Sequence, residues 1–152
     1  MEVGAQVMKA FADVPRPGAE VWLGDPEGAE VLLAHAHWRD IDPELLDYHG
    51  CAMDFLTPAG LHYLLPAFML AALALPRSGL ADNVLRRLRP PKDNPDRPVF
   101  RALWDRLDPA QRAATVAVVH ALEQREGLSG EGSLAGLLRS IPGPGCDGEP
   151  AR

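Results

Sequence analysis

The sequence TPAGLHYLLPAFMLAALAL, residues 57–75, is the most apolar block of the chain. Its apolar positions lie almost all round the helix axis, and such a helix must be covered by protein on most sides. The run from Tyr63 to Leu75 has only 13 residues and includes Pro66, whereas spanning a bilayer takes about 20 apolar residues. We therefore predict a core helix rather than a membrane anchor. Pro66 should kink or split it, because proline cannot donate a hydrogen bond to the carbonyl four residues back.

The chain repeats one helix-start signal, an aspartate or threonine followed by proline, at residues 25–26, 42–43, 57–58 and 108–109. The first side chain can accept a hydrogen bond from the first turn, and proline is tolerated at position N1, where no N–H is needed. After Asp108, Gln111 is placed to complete a capping box. With the apolar spacing, these signals predict helices at about residues 3–12, 26–38, 44–49, 58–75, 80–88, 99–107, 109–126 and 133–140.

The predicted fold class is all-α, a single-domain bundle of seven to eight short helices around the central proline-interrupted apolar helix at 57–75. We expect this domain to span residues 1–141. Residues 142–152 contain no core-forming side chain and are expected to form a disordered tail. Residues 89–98 contain four prolines and are expected to be a surface loop.

The overall composition indicates a protein that is soluble in water. Charged residues make up 24% of the 152 residues, the mean hydropathy is −0.10, and no leading segment has the basic-then-apolar pattern of a signal peptide. We therefore expect a cytoplasmic location. Cys51 and Cys146 are expected to be free thiols, with Cys51 as a small buried apolar side chain.

The net charge of −6 is unevenly distributed along the chain. Residues 1–60 carry 11 acidic and 3 basic side chains, a net −8, whereas residues 77–106 carry 8 basic and 4 acidic side chains, a net +4. The simplest interpretation is that these segments face each other or water. The basic segment lacks the interleaved aromatic residues of single-strand binders, and the pI is about 5.3, so nucleic-acid binding is not expected.

Histidines and Cys51 are the candidates for chemistry. His35 and His37 would point about 200° apart on a helix and would converge only on a strand. Sequence proximity of a cysteine to a histidine does not establish a nucleophile and base. No G-x-S-x-G, P-loop, G-x-G-x-x-G or H-E-x-x-H motif occurs, so we assign no catalytic residue, no cofactor and no metal site. A metal- or thiol-dependent enzyme using His35, His37, His49, Cys51 or His62 is the alternative function.

The favoured function is a non-enzymatic, cytoplasmic protein-interaction domain, immunity-like or regulatory, that uses its acidic N-terminal half. Trp and Tyr are enriched at binding hot spots, and one of each flanks an acidic segment here. The predicted interaction residues are Trp38, Asp40, Asp42, Glu44, Asp47 and Tyr48. Such a face favours a protein partner with a basic surface. No nucleic-acid or membrane partner is expected, and a homo-oligomer is a further alternative.

Three segments, residues 38–48, 55–73 and 100–116, resemble a bacterial family known only as a domain of unknown function. Its members carry an F-L-[ST]-P-E-x-x-x-Y-[YL]-L-P-A-[FY] core and a downstream L-[ST]-x-x-Q-R-x-A-[VI] pattern. The matching residues are Phe55, Leu56, Thr57, Pro58, Leu65, Pro66, Ala67, Phe68, Leu107, Gln111 and Arg112. Ala59-Gly60 stands where an acidic residue is more usual. The resemblance covers about residues 5–125, implies an uncharacterised helical domain and supplies no catalytic residues.

Overall fold

The computed structural model describes residues 2–18, 29–90, 98–127 and 132–142. Within these ranges the chain forms helices and no β-strand, which confirms the predicted all-α bundle. The α-helices are α1 (Val3–Ala10), α2 (Ala29–Leu33), α3 (Pro43–Tyr48), α4 (Pro58–Ala74), α5 (Leu80–Leu88), α6 (Pro98–Arg106), α7 (Pro109–Arg125) and α8 (Leu134–Arg139). Two 3-10 helices cover Trp38–Asp40 and Gly50–Phe55. None of the described helices is long and apolar enough to cross a membrane.

α4 is the central helix of the bundle. Thr57 caps it by accepting a hydrogen bond from the Gly60 N–H at 3.2 Å. Eleven of its 17 residues are buried, and Phe68 is completely so. The helix is not split at Pro66 but runs on without a break. The hydrogen bond that Pro66 cannot make to the His62 carbonyl is outweighed by apolar burial, which contributes about 25 cal/mol per Å².

The other helices form a shell around α4. α1, α3, α5, α6, α7 and the first 3-10 helix all pack against it, while α8 packs on α7 and the second 3-10 helix packs on α5. The buried side chains form one core that extends from Val7 on α1 to Leu138 on α8. Each shell helix therefore needs to contribute only one apolar face.

Polar side chains at the start of α7 bind the ends of two neighbouring helices. Gln111 and Asp108 form the predicted capping box. The Gln111 side chain also donates from Nε2 to the Ala10 carbonyl at the end of α1, at 3.2 Å. Arg112 donates from Nε and Nη2 to the Trp104 carbonyl in α6, at 3.2 and 3.1 Å. The Gln111 contact satisfies a carbonyl at the end of α1, whereas the Trp104 carbonyl also accepts the Leu107 N–H at 3.2 Å.

The far end of α7 makes the same kind of contact with two more helices. The Glu123 carboxylate, only 4% exposed, accepts the N–H groups of Leu134 and Ala135 at 2.8 and 3.0 Å, at the start of α8. Arg125 donates to the Ala72 carbonyl near the end of α4, at 2.9 Å. An anion is favourable at a helix N-terminus and a cation at a C-terminus, so these two side chains fix how α8 and α4 sit on α7.

The second predicted helix is shorter than expected. α2 ends at Leu33, where Arg16 donates to its carbonyl, and Trp38 lies in a separate 3-10 helix. His37 caps that 3-10 helix, because its Nδ1 accepts the Arg39 N–H at 3.1 Å. The chain turns here so that the Trp38 indole can be buried.

Some predictions concern residues outside the described ranges. They are the start of the second helix before residue 29, most of the proline-rich loop, Cys146 and the tail from residue 143 onward. These stay predictions.

Phe68→Ala tests the central position of α4. Phe68 is 0% exposed, so its truncation leaves a cavity, and we expect the free energy of unfolding to fall by about 3–5 kcal/mol. Phe55→Ala is the matched control, because Phe55 is 47% exposed and should cost clearly less. Urea unfolding followed by circular dichroism measures both variants. Equal losses would contradict a core centred on α4.

Glu123→Gln tests the attachment of α8. The amide keeps the shape but replaces one accepting oxygen with a donor, so either Leu134 or Ala135 loses its acceptor and stability should fall by about 1–3 kcal/mol. Glu126→Gln is the matched control, because the 3.8 Å contact of Glu126 with Arg125 is a surface ion pair worth about 0–1 kcal/mol. Hydrogen exchange of the α8 amides reports the effect locally. Unchanged protection of those amides in Glu123→Gln would show that α8 does not depend on this carboxylate.

Candidate functional site

α3 places three side chains on one exposed face. Asp42 caps the helix by accepting the Glu44 N–H at 2.8 Å, and Leu46, 1% exposed, directs the opposite face into the core. Glu44, Asp47 and Tyr48 are all exposed. Their spacing of three and four residues places them on the same side of the helix. α3 thus presents two carboxylates and a phenol together.

Tyr48 is the most exposed of the large hydrophobic side chains in the described ranges, at 83%. Its ring meets the His49 ring edge-on, with 4.8 Å between the centroids. A tyrosine offers a large contact area, loses little conformational entropy when covered, and can form a hydrogen bond. Tyr48 is therefore suited to contact with another molecule.

A groove of about 590 Å³ runs between α3 and the turn after α4. It is lined by the three outer residues of α3 and by Leu75, Pro76, Arg77 and Ser78. Ser78 holds this turn, because its Oγ donates to the Leu75 carbonyl at 2.8 Å and accepts the Leu80 N–H at 3.3 Å. The groove therefore combines an acidic wall, an apolar part at Leu75 and Pro76, and one cation, Arg77.

The carboxylates of α3 and of the residues just before it are not neutralised by the basic part of the chain. Asp40, Glu44 and Asp47 are exposed and make no ion pair within the described residues. The basic segment contacts the acidic half elsewhere, where Arg86 lies 3.2 Å from Asp54. These unpaired carboxylates outnumber Arg77, the one cation among the groove's lining residues, so this side of the bundle has a negative potential.

Three of the six predicted interaction residues, Glu44, Asp47 and Tyr48, line this groove, and Asp40 and Asp42 are exposed just before α3. We call Asp40, Asp42, Glu44, Asp47 and Tyr48 the α3 surface. Trp38, in contrast, is 1% exposed, because its 3-10 helix packs against α4. The Arg39 guanidinium lies over its ring, 5.9 Å from the centroid. Trp38 thus belongs to the core, and its prediction as a surface interaction residue is wrong.

The candidate histidines and Cys51 have separate contacts in the described structure. His35 contacts the Leu32 carbonyl through Nδ1 at 3.3 Å, and His37 serves as the cap described above. Cys51 is exposed, not buried as predicted, since it lies on the outer side of the second 3-10 helix. Within the described ranges, no group of three or more His, Cys, Asp or Glu side chains is placed to hold a metal ion.

His62 belongs to a polar junction that no sequence motif indicated. Its Nε2 lies 3.0 Å from Gln111 Oε1, 49 positions away, and its ring meets Phe11 edge-on. Burial lowers the pKa of His62 below its ordinary value, and the hydrogen bond to Gln111 opposes this shift in part. Arg106 lowers the pKa further, while Asp108 raises it. Because Gln111 Oε1 can only accept, Nε2 carries the proton of the neutral ring.

Comparison with known proteins identifies a family for the chain. A family model described as a family of unknown function (DUF6714) matches residues 1–134. No curated protein and no solved structure matches the chain. The match agrees with the resemblance seen in the sequence. In the structure, Gln111 and Arg112, on which part of that resemblance rests, hold helix ends together.

His62 should make stability depend on pH. Its pKa is lower in the folded protein than in the unfolded chain, so the unfolded chain takes up the proton first. Its contribution is fully present above about pH 6.5 and is lost as the pH falls from there through the folded pKa. His62→Gln keeps an N–H donor for Gln111 and should remove this part of the decline.

Urea unfolding of both proteins at about pH 7.5 and about pH 5.5, on either side of the ordinary histidine pKa, measures this difference. Comparing the two changes cancels the contribution of the carboxylates, which both proteins share. The same loss of stability in His62→Gln as in the wild type would show that His62 is not responsible.

Proposed function

We propose that this chain, which belongs to the family of unknown function DUF6714, is a non-enzymatic protein-interaction domain that binds a basic protein through the α3 surface. Its place would be the cytoplasm, and its role that of an immunity-like or regulatory partner. The observation that carries this proposal is the 83% exposure of Tyr48 among carboxylates without ion pairs. An aromatic anchor surrounded by polar groups is typical of interaction hot spots.

Charge complementarity specifies the kind of partner. The unpaired carboxylates would steer a positively charged surface toward α3 and raise the association rate, mainly at low salt. Once bound, the partner would cover Tyr48 and the apolar part of the groove at Leu75 and Pro76. Electrostatics thus supports encounter and orientation, whereas burial of the aromatic ring supports affinity.

A different protein fits this surface better than a second copy of the same chain. In a two-fold symmetric contact the same patch meets itself. The carboxylates of Glu44 and Asp47 would then face carboxylates, which opposes association. This favours a heterologous partner over a homo-oligomer built through α3.

Binding is also the role that uses side chains not already engaged in the fold. His37 caps a helix and His62 bonds Gln111, so both of these imidazoles have structural contacts. Glu44, Asp47 and Tyr48 point outward, and their replacement should leave the core intact. Binding and stability can therefore be tested separately.

Charge reversal on α3 tests the proposal. Partners are captured at low salt from an extract of the source cells, identified, purified, and titrated by calorimetry against the wild type, Glu44→Lys/Asp47→Lys and Tyr48→Ala. We expect the double variant to lose most of its affinity at low salt and less at high salt, because salt screens the lost attraction. Tyr48→Ala should weaken binding by about 2 kcal/mol. Asp42 is left unchanged because it caps α3.

Glu2→Lys/Glu30→Lys is the matched control for charge. Both residues are exposed, belong to the same acidic half and make no ion pair within the described residues, so the net charge changes equally. This control should bind nearly as the wild type does. A purified partner whose dissociation constant is the same for all these proteins does not use the α3 surface, and the proposal would then be refuted.

A further inference from the structure

A second groove lies at the junction of α6, α7 and α8. Its volume is about 360 Å³, and its lining includes Trp104, Arg112, Val116, Ala117, Leu138 and Ile141. None of these residues belongs to the α3 surface. The size is within the range of small-molecule sites, which are usually apolar with a few polar groups.

The body of this groove is apolar. Val116 and Leu138 are almost fully buried and line it from α7 and α8. Ala117 lies on the same side of α7 and has only a methyl group where a longer side chain would fill the space. A ligand in this position would find an apolar wall formed by two helices.

Two guanidinium groups give the groove its charge. Arg112 uses Nε and Nη2 to bond the Trp104 carbonyl, and its Nη1 makes no hydrogen bond within the described residues. Arg139, in the last turn of α8, is exposed and makes no ion pair there. No carboxylate is among the residues that line the groove. The charge is therefore positive and uncompensated.

The indole of Trp104 supplies a further unmatched donor. Trp104 is 1% exposed, and its Nε1 is buried without an acceptor. Phe100 stacks on the ring at an interplanar angle of 14°, and the Arg112 guanidinium lies over the ring at 5.9 Å. Native proteins rarely leave a buried donor unpaired, so this position calls for an acceptor.

We propose that this groove binds a small amphipathic carboxylate. Its hydrocarbon part would pack on Val116 and Leu138, and its carboxylate would accept hydrogen bonds from Arg112 and Arg139. Arg112 would donate from Nη1, because its Nε and Nη2 are bonded to the Trp104 carbonyl, whereas Arg139 can present the planar fork that matches a carboxylate. A cation would be repelled, and a neutral ligand of the same shape would lose the charged hydrogen bonds.

The experiment is an NMR titration of the full chain with three probes of one chain length: hexanoate, hexanamide and hexylammonium. The indole N–H signal of Trp104, assigned by its loss in Trp104→Phe, reports binding at the groove. Hexanoate should shift this signal and the amides around Val116 with a saturable curve, and hexylammonium should not. Absence of a saturable shift with hexanoate, or an equal response to all three probes, would overturn the proposal.

Variants locate the binding. Arg139→Gln should weaken hexanoate binding about tenfold, the usual effect of losing one hydrogen bond to a charged group, without affecting folding, since Arg139 is exposed. Ala117→Leu should fill the groove and abolish binding. Ala121→Leu, one turn further along α7 and outside the lining, is the matched control and should bind as the wild type does. Binding that survives both Arg139→Gln and Ala117→Leu, or is lost in Ala121→Leu, would place hexanoate elsewhere.

Discussion

The structure depends on the enclosure of α4, because a helix that is apolar on every side is stable in water only when other helices cover it. Leu64 and Phe68 are fully buried, and Pro66 is accommodated without a break. Since α4 supplies the centre of the core, the surrounding helices can be short and apolar on one face only. α5 illustrates this, with Leu80 and Val84 buried while Asp82 and Arg86 are exposed. The outward faces are consequently available for charges that the fold does not require, and the α3 surface lies there.

Apolar contacts are non-directional, so they do not by themselves decide which turn of one helix lies against which turn of another. In this protein α7 makes the directional contacts. Gln111, Arg112, Glu123 and Arg125 each bind backbone groups near the end of another helix. These are the positions where a helix leaves its own N–H or carbonyl groups without partners. Packing therefore accounts for the Gln-Arg pair in the family-like pattern and leaves only Nη1 of Arg112 for a ligand.

Signals that act within a few residues could be interpreted from the sequence, and those that depend on distant contacts could not. The starts of α3, α4 and α7 were predicted because a cap joins a side chain to an N–H two or three positions away. Trp38 and Cys51 were placed incorrectly, since burial depends on where α4 and α5 come to lie. The outer face of α3 followed from helical spacing, but its groove also requires the turn at Ser78, whose position is set by tertiary packing. The contact between His62 and Gln111 had no sequence signal at all.

The fold shows how little the acidic and basic parts of the chain pair with each other. Within the described residues one ion pair, Arg86 with Asp54, joins the acidic half to the basic segment. Most carboxylates of the acidic half are therefore not paired with that segment, and those on α3 lie together on one surface.

Like charges held close together repel and lower the stability of the folded state. The burial of α4 provides stability without them, so the fold gives no reason for their arrangement. A ligand of opposite charge would give a reason for this arrangement, because it would offset the repulsion between the carboxylates. The same reasoning applies with the sign reversed to Arg139, which is exposed and makes no ion pair within the described residues, so the two grooves should select ligands of opposite charge and not compete with each other.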